Sequence, residues 1–328
     1  MLSLDEKVIM QINEWLQQGL QQRQAIWLCT VIHTWGSAPR LPGSLMVCNQ
    51  EGVTVGSLSG GCIEENLVER LCDGQLAQHS AEYKLYGQTK EEIERFQLPC
   101  GGTLGILIEP LLPAQLSVFS AIETALQQRT IISRNCHWPA DNMTTATVLN
   151  YSSLEFERDQ QGAPVRLRQV YGPVCHLIII GVSEVSRFLA EFALAAGYRV
   201  TVCDPRPELA AQWKVDNAVC LTAMPDDVIR EQADSQTAIV ALTHDPRIDD
   251  MGLMDAFGTD AFYIGAMGSG KTSAKRRERL QLLGVDADQL QRLHAPIGLE
   301  INSKTPVEIA IAIVAELIAL RAQPAFSS

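Results

Sequence analysis

The chain has 328 residues, 46% of them apolar and 20% charged, with a net charge of −12. That is globular composition and enough length for two domains. An acidic chain without a long basic run excludes non-specific nucleic-acid binding, which needs a cationic footprint, but leaves room for small anionic ligands at a local cationic site.

The N-terminus "MLSLDEKVIMQINEWLQQGL" has early acidic residues and no uninterrupted apolar core, so it does not read as a signal peptide. Its spacing predicts an amphipathic helix. Ser3 and Glu6 have capping-box spacing, and Val8, Ile9, Ile12, Trp15, Leu16 and Leu20 share one face. No apolar run reaches membrane-spanning length. These features predict a cytoplasmic protein whose nine cysteines are mostly reduced thiols. None forms a C-x-x-C pair, the usual mark of a structural zinc site.

Residues 26–34, "IWLCTVIHT", and 45–49, "LMVCN", read as strands joined by the turn-rich "WGSAPRLPGS". "GVTVGSLSGGCIEENLVERLCDG" predicts a short strand, a Gly/Ser loop and a helix closed by Gly74. "PCGGTLGILIEPL" predicts a second Gly-rich turn and a strand. Residues 1–112 thus form an N-terminal α/β domain. Residues 113–172 read as a connecting region with some structure of its own: a helix over "AQLSVFSAIETALQQ", β-like pieces around "TIISRN" and "TTATVLNY", and a polar stretch "SSLEFERDQQGAPVR".

From 173 to 328 the pattern becomes regular. "VCHLIIIG", "YRVTVCD", "AIVALT" and "AFYIGA" are apolar runs that alternate with helical stretches. That alternation predicts a Rossmann-like, doubly wound parallel sheet. The chain closes with "KTPVEIAIAIVAELIALRAQP", where Thr305, Pro306 and Glu308 suit the N-cap, the first helical position and a capping box. Its apolar character predicts packing against the sheet.

Three turns carry candidate chemistry. In "YIGAMGSGKTSAKRRERL", Gly265, Gly270, Lys271 and Thr272 fit G-x-x-x-x-G-K-[ST], the phosphate-cradling P-loop pattern. The match falls on the last clear strand of the Rossmann-like unit, however, and no later strand ends in the acid that would help hold magnesium. An ATP-dependent enzyme rests on this motif alone. A plain strand-to-helix turn needs no nucleotide. An intermediate reading keeps an anion at the helix start, beside Gly268, Ser269 and Lys271.

The first turn of the Rossmann-like unit is "GVSEVS", in which only Gly181 of the G-x-G-x-x-G fingerprint survives. Ser183 and Ser186 replace glycines, and Glu184 puts a carboxylate where a pyrophosphate would sit. Asp204 ends the second strand, where a ribose-binding acid is expected, or simply begins a loop before Pro205. His244 and Asp245 in "THDPRIDD" fall at the carboxyl edge of the sheet, where ligands bind. These residues motivate an alternative function, an NAD(P)-binding oxidoreductase.

The N-terminal domain holds the sharpest local chemistry. "GSLSGGCIEENLVER" sets Cys62 after Ser59, Gly60 and Gly61 at a helix start, a position that exposes a thiol and favours its thiolate. "LPCGGTLGI" sets Cys100 beside Gly101 and Gly102, again with room for a ligand. Such thiols bind a soft metal, carry a persulfide, form a reversible disulfide, or merely fill tight turns. Glu64 follows in the first helical turn, where the helix dipole favours it. A proton-handling role is the alternative.

Together, "GSLSGGCIEENL", "PCGGTLGILIEPL", "THDPRIDD", "YIGAMGSGKTSAKRRERL" and "HAPIGLEINSKTPVEIAIAIVAELIA" closely resemble the XdhC/CoxI family, accessory proteins of xanthine dehydrogenase and related molybdenum hydroxylases. The resemblance covers nearly the whole chain in the right order and is weakest over 113–170. It implies a maturation chaperone rather than a catalyst, with no catalytic residue. Such a protein binds molybdenum cofactor (molybdopterin) as cargo, supports its sulfuration by a cysteine desulfurase, and helps insert it into the apo-enzyme of a molybdenum hydroxylase. It also implies a homodimer or higher homo-oligomer with no nucleic-acid or membrane partner. Gly60, Gly61, Cys62 and Glu64 match the first family motif, and Cys100, Gly101 and Gly102 the second, with Cys62 and Cys100 as candidate molybdenum contacts. In this light "GSGKT" is a variant of a family loop and the P-loop match is accidental. The chain departs from the family at Ser183 and Glu184, where a Gly and a His are usual, and at Asn302, where a Gly is common.

Overall fold

The structure is a computed structural model that describes residues 4–22, 25–35, 40–96, 102–140, 142–148 and 152–321. The chain divides into two compact units, with the division between Pro173 and Val174.

The first unit is built from α1 (Leu4–Gln22), β1 (Ile26–Trp35), β2 (Leu45–Asn49), β3 (Thr54–Gly56), α2 (Cys62–Cys72), β4 (Glu82–Tyr86), α3 (Lys90–Arg95), β5 (Thr103–Leu111), α4 (Leu116–Gln127), β6 (Ile132–His137), β7 (Asn142–Thr147), β8 (Glu155–Arg158) and β9 (Pro164–Tyr171). Two sheets result, β3-β2-β1-β5-β4 and β7-β6-β9-β8. The period-two alternation of the first sheet supplies two apolar faces. One takes α2, whose Ile63, Leu67 and Leu71 pack on Trp27, Cys29, Val31, Met46 and Ile106. The other takes α1 and α4, through Val8, Ile9, Ile12, Leu16, Phe119 and Ile122. Of the predicted stripe of α1, Val8, Ile9, Ile12 and Leu16 are buried and Trp15 is partly buried, while Ser3 and the Leu20 side chain lie outside the described residues.

Residues 113–172 carry α4 and the whole second sheet. The strand β8 and the start of β9 arise from the stretch that reads as polar. Their outward face is charged, with Arg166 and Arg168 paired to Glu155 and Glu157 at 3.0–3.3 Å, which hides the alternation of Phe156 and Leu167.

The second unit comprises β10 (His176–Ile180), α5 (Glu184–Ala195), β11 (Arg199–Cys203), α6 (Pro207–Ala210), β12 (Ala218–Leu221), α7 (Pro225–Gln232), β13 (Thr237–Ala241), α8 (Pro246–Phe257), β14 (Tyr263–Ala266), α9 (Gly270–Leu282), α10 (Ala287–Gln291), β15 (Leu293–His294) and α11 (Pro306–Arg321). The sheet is parallel, in the order β12-β11-β10-β13-β14-β15. That is the doubly wound Rossmann arrangement, with the strand order reversing at β10. The central strands β10 and β13 are buried along their length, as their continuous apolar runs require. β15, only Leu293 and His294, is too short to leave an apolar run in the sequence.

The capping box of α11 is realised: Glu308 N–H donates to Thr305 Oγ1 at 3.3 Å, and Glu308 Oε2 accepts the N–H groups of Lys304 and Thr305 at 2.8 and 2.9 Å. Ala310, Ile313 and Leu317 then pack with Leu189, Ala190 and Ala193 of α5. Among the described residues, no helix is long and apolar enough to cross a membrane.

Candidate functional site

In the first unit, strand direction and register locate the loop after β3 and the start of β5. β3 runs parallel to β1 and ends at Gly56, level with Met46 and Cys29, whereas β5 begins at Thr103 opposite Trp35, further along β1. The loop 57–61 therefore leaves the sheet at mid-length of β1, and β5 begins opposite the end of β1. Gly102, buried, precedes Thr103, which pairs with Trp35. Cys100 and Gly101 lie outside the described residues.

The loop is organised by Glu64. Its Oε1 accepts the Ser57 hydroxyl at 2.8 Å and the N–H groups of Leu58, Ser59 and Gly60 at 2.6, 2.6 and 2.7 Å. Partial burial pushes this carboxyl up, but the three N–H groups and the hydroxyl outweigh it and hold Glu64 below the ordinary carboxylate value. Glu64 is thus an internal anion seated in a backbone nest. This is a role the helix-dipole argument does not anticipate, and the only trace of it in the sequence is the spacing from Ser57 to Glu64. Ser57 N–H is tied to Leu45 O at 3.1 Å, and Arg40 Nε donates to Ser57 O at 3.2 Å, so β2 and Arg40 fix the loop's base. Neither residue is singled out by its motif.

What remains open is the tip. Gly60 has φ +75°, a left-handed conformation, and among the described residues a Cβ at Gly60 or Gly61 would meet nothing within 4 Å. Gly61 is the N-cap of α2 and has no side chain to close it; Cys62 is the first helical residue and is exposed. The N–H groups of Cys62 and Ile63 belong to the first turn and have no partner inside the helix. Ser59 Oγ is buried without a hydrogen-bond partner among the described residues. An exposed thiol, first-turn N–H groups without an intrahelical partner and a hydroxyl unfilled among the described residues suit a soft, anionic, sulfur-rich ligand. Cys29, Cys48 and Cys203 are buried, and burial pushes the Cys48 and Cys203 thiols up to about 12, so they are core groups rather than nucleophiles. Among the described residues no cluster of three or more His, Cys, Asp or Glu could hold a metal ion.

In the second unit, the parallel sheet gathers Gly181, Asp204, His244, Asp245, Gly268 and Ser269 at its carboxyl edge, with Lys271 exposed in the first turn of α9. Gly181, φ +99°, is required there: a Cβ would stand 2.4 Å from Thr243 Cγ2. The two serines that replace fingerprint glycines close the start of α5 on itself. Ser183 Oγ accepts Ser186 N–H at 3.2 Å, and the Ser186 hydroxyl donates to Gly181 O at 2.7 Å. The Ser183 hydroxyl therefore donates to Ser186 Oγ, 2.9 Å away. Asp204 is fully buried; Arg206 and the Val182 N–H hold it ionised against its burial. His244 is exposed and left-handed, φ +65°, and Asp245 is the N-cap of α8, held down to about 2 by Arg247.

The P-loop pattern does not form a cradle. Gly265 lies inside β14, paired with Val240, and Gly270 is already the first residue of α9, so only Met267–Ser269 join strand to helix. Ser269 caps α9 through Thr272 N–H at 3.2 Å and bonds Thr272 Oγ1 at 2.9 Å, engaging the hydroxyl that a P-loop gives to magnesium.

Known proteins share this arrangement. Residues 177–317 match the model of the XdhC Rossmann domain, and residues 19–84 that of the XdhC and CoxI family. A protein of Bacillus subtilis named as a probable xanthine dehydrogenase subunit is 26% identical over 324 residues, spanning 92% of this chain and 95% of that protein. The molybdenum cofactor insertion chaperone PaoD of Escherichia coli is 24% identical over 304 residues, spanning 93% of this chain and 86% of that protein. A crystal structure described as a xanthine dehydrogenase from Bacillus halodurans superposes with a TM-score of 0.70 at 25% identity, covering 96% of this chain and 98% of that one.

Proposed function

The chain belongs to the XdhC and CoxI family, and from that premise we propose that it is a molybdenum cofactor chaperone. It binds the cofactor as cargo, supports its sulfuration by a cysteine desulfurase, and delivers it to the apo-enzyme of a xanthine dehydrogenase-type molybdenum hydroxylase. The observation that carries the reading is the exposed Cys62 thiol at the start of α2, which has no side-chain cap, beside Gly60 and Gly61, over which no described residue lies within 4 Å of a Cβ. The relative named as a molybdenum cofactor insertion chaperone, similar along most of both chains, supports it. Cys62 contacts the molybdenum or its sulfur ligands, and Ser59, Gly60 and Gly61 let the pterin approach. Glu64 shapes the loop and does not touch cargo. Cys100, Gly101 and Gly102 are assigned to the same cofactor on the strength of the family motif alone.

The test is anaerobic loading of the full chain with molybdenum cofactor, read as molybdenum content and pterin fluorescence after gel filtration. Wild type should retain stoichiometric cofactor, and Cys62→Ala should lose about tenfold or more in affinity, the scale of one lost charge-assisted contact or metal ligand. Its melting temperature should be unchanged, because the Cys62 side chain is exposed. Equal retention by the variant, or none by well-folded wild type, would refute the reading.

A further inference from the structure

The second unit contains the same three-residue device twice. Asp204-Pro205-Arg206 follows β11 and Asp245-Pro246-Arg247 lies just beyond β13. In each, the aspartate Oδ1 accepts the arginine backbone N–H at 3.0 Å. The same Oδ1 accepts Nε–H at 2.8 and 3.1 Å, and Oδ2 accepts from Nη2 at 2.7 and 2.8 Å. β11 and β13 are the two neighbours of β10, whose end is the Gly181 turn. The devices therefore flank the point where the strand order reverses, two strand spacings or about 10 Å apart. Arg206 and Asp245 also feel each other's charge across that turn.

Each chelate fixes a guanidinium and leaves most of it unused. An arginine has five N–H donors; the aspartate takes Nε–H and one Nη2–H, so three remain. The side chains are 31% exposed for Arg206 and 89% for Arg247, so those donors reach solvent. Asp204, by contrast, offers a ligand nothing. It is fully buried, both oxygens are bonded to Arg206, and Oδ2 also accepts Val182 N–H at 2.8 Å. An acid at this position usually takes ribose hydroxyls, and an arginine nearby takes a ribose phosphate. Here the arginine stands over the acid. The start of α5, closed by its own serines, leaves phosphate recognition to the arginines.

We propose that this crevice binds a nucleotide carrying a terminal phosphate group, held by the N–H groups of Arg206 and Arg247 that their aspartates leave unused. The site lies within the C-terminal unit and does not depend on the cargo reading. Planar, pre-oriented guanidinium groups form paired hydrogen bonds to phosphate oxygens, which a lysine cannot reproduce. The Asp partners cancel much of the net charge, so recognition comes from geometry and falls off with salt less steeply than for bare arginines.

Calorimetric titration of the full chain with NADP+, ATP, NAD+ and inorganic pyrophosphate tests this. NADP+ or ATP should bind with Kd below about 1 mM, and about tenfold more tightly than both NAD+, which lacks a terminal phosphate, and pyrophosphate, which lacks the nucleoside. Arg247→Ala, at an exposed position, should weaken that binding about tenfold with an unchanged melting temperature. Arg206→Lys keeps a charge beside buried Asp204 and should weaken it similarly if paired geometry matters. The proposal is overturned if neither NADP+ nor ATP binds, if NAD+ or pyrophosphate binds as tightly, or if both variants bind like wild type.

Discussion

Arg134→Met should be the most damaging single change in the first unit, costing about 3–5 kcal/mol of stability. Arg134 and Glu109 are both essentially excluded from solvent, and the guanidinium grips the carboxylate through two bonds of 3.1 and 2.9 Å. Glu109 lies on β5 and Arg134 on β6, so the pair joins the two sheets. The variant strands a buried carboxylate, whose desolvation no longer has a partner to offset it. The loss should spread toward the loop before α2. Arg134 Nη2 also reaches Gln169 Oε1 at 3.4 Å, and Gln169 Nε2 donates to Gly43 O at 2.9 Å. Gly43 is two residues before Leu45, whose carbonyl holds Ser57 N–H. Urea unfolding provides the readout. The double variant Glu109→Met/Arg134→Met should recover most of the loss, because replacing both ions removes the desolvation cost along with the attraction. A single variant within about 1 kcal/mol of wild type would show that water reaches the pair.

The Arg134 pair also shows where sequence reading stops. Periodicity and punctuation reveal elements whose signal is local: the stripe of α1, the apolar runs of β10 and β13, and the T-x-x-E box of α11. They fail where the determining partner is distant. Arg134 sits in a β-like piece with nothing to say it is buried, since its partner is 25 residues away on another sheet. β8 and β9 are hidden because cross-strand ion pairs make their outward face polar. The GSGKT match misleads for a related reason. A motif specifies residues but not where strand and helix end, and here Gly265 is in a strand and Gly270 in a helix. In the second unit the glycine defects of "GVSEVS" are legible, whereas the paired Asp-Pro-Arg chelates that flank them become visible only when the sheet order makes β11 and β13 neighbours of β10.

Glu64→Ala should lower stability by roughly 2–3 kcal/mol and reduce cofactor retention by at least about tenfold, without removing any atom that we assign to the cargo contact. One oxygen of Glu64 collects four donors, from Ser57, Leu58, Ser59 and Gly60. Hydrogen bonds to a charged acceptor are worth more than neutral ones, and Leu58 is buried, so its N–H has no ready water to replace the carboxylate. Without that anion, the left-handed Gly60 and the uncapped Gly61 lose the restraint that presents Cys62. Glu64→Gln separates positioning from proton transfer. A carboxamide oxygen still accepts N–H groups, though more weakly, so the variant should fall between wild type and Glu64→Ala in both stability and retention. If Glu64 instead moved a proton, Gln would be as damaging to function as Ala while sparing the fold. The sign of the pH dependence follows from the lowered carboxyl. The unfolded chain takes its proton first, near the ordinary value of 4.5, so Glu64's contribution is complete above that pH. It declines as the pH falls toward the folded-state value and is gone below it. Wild type and Glu64→Gln should therefore converge in stability on acidification. Tighter cofactor binding by Glu64→Ala would reverse the assignment, because it would mean that the nest belongs to the cargo and that Glu64 competes for it.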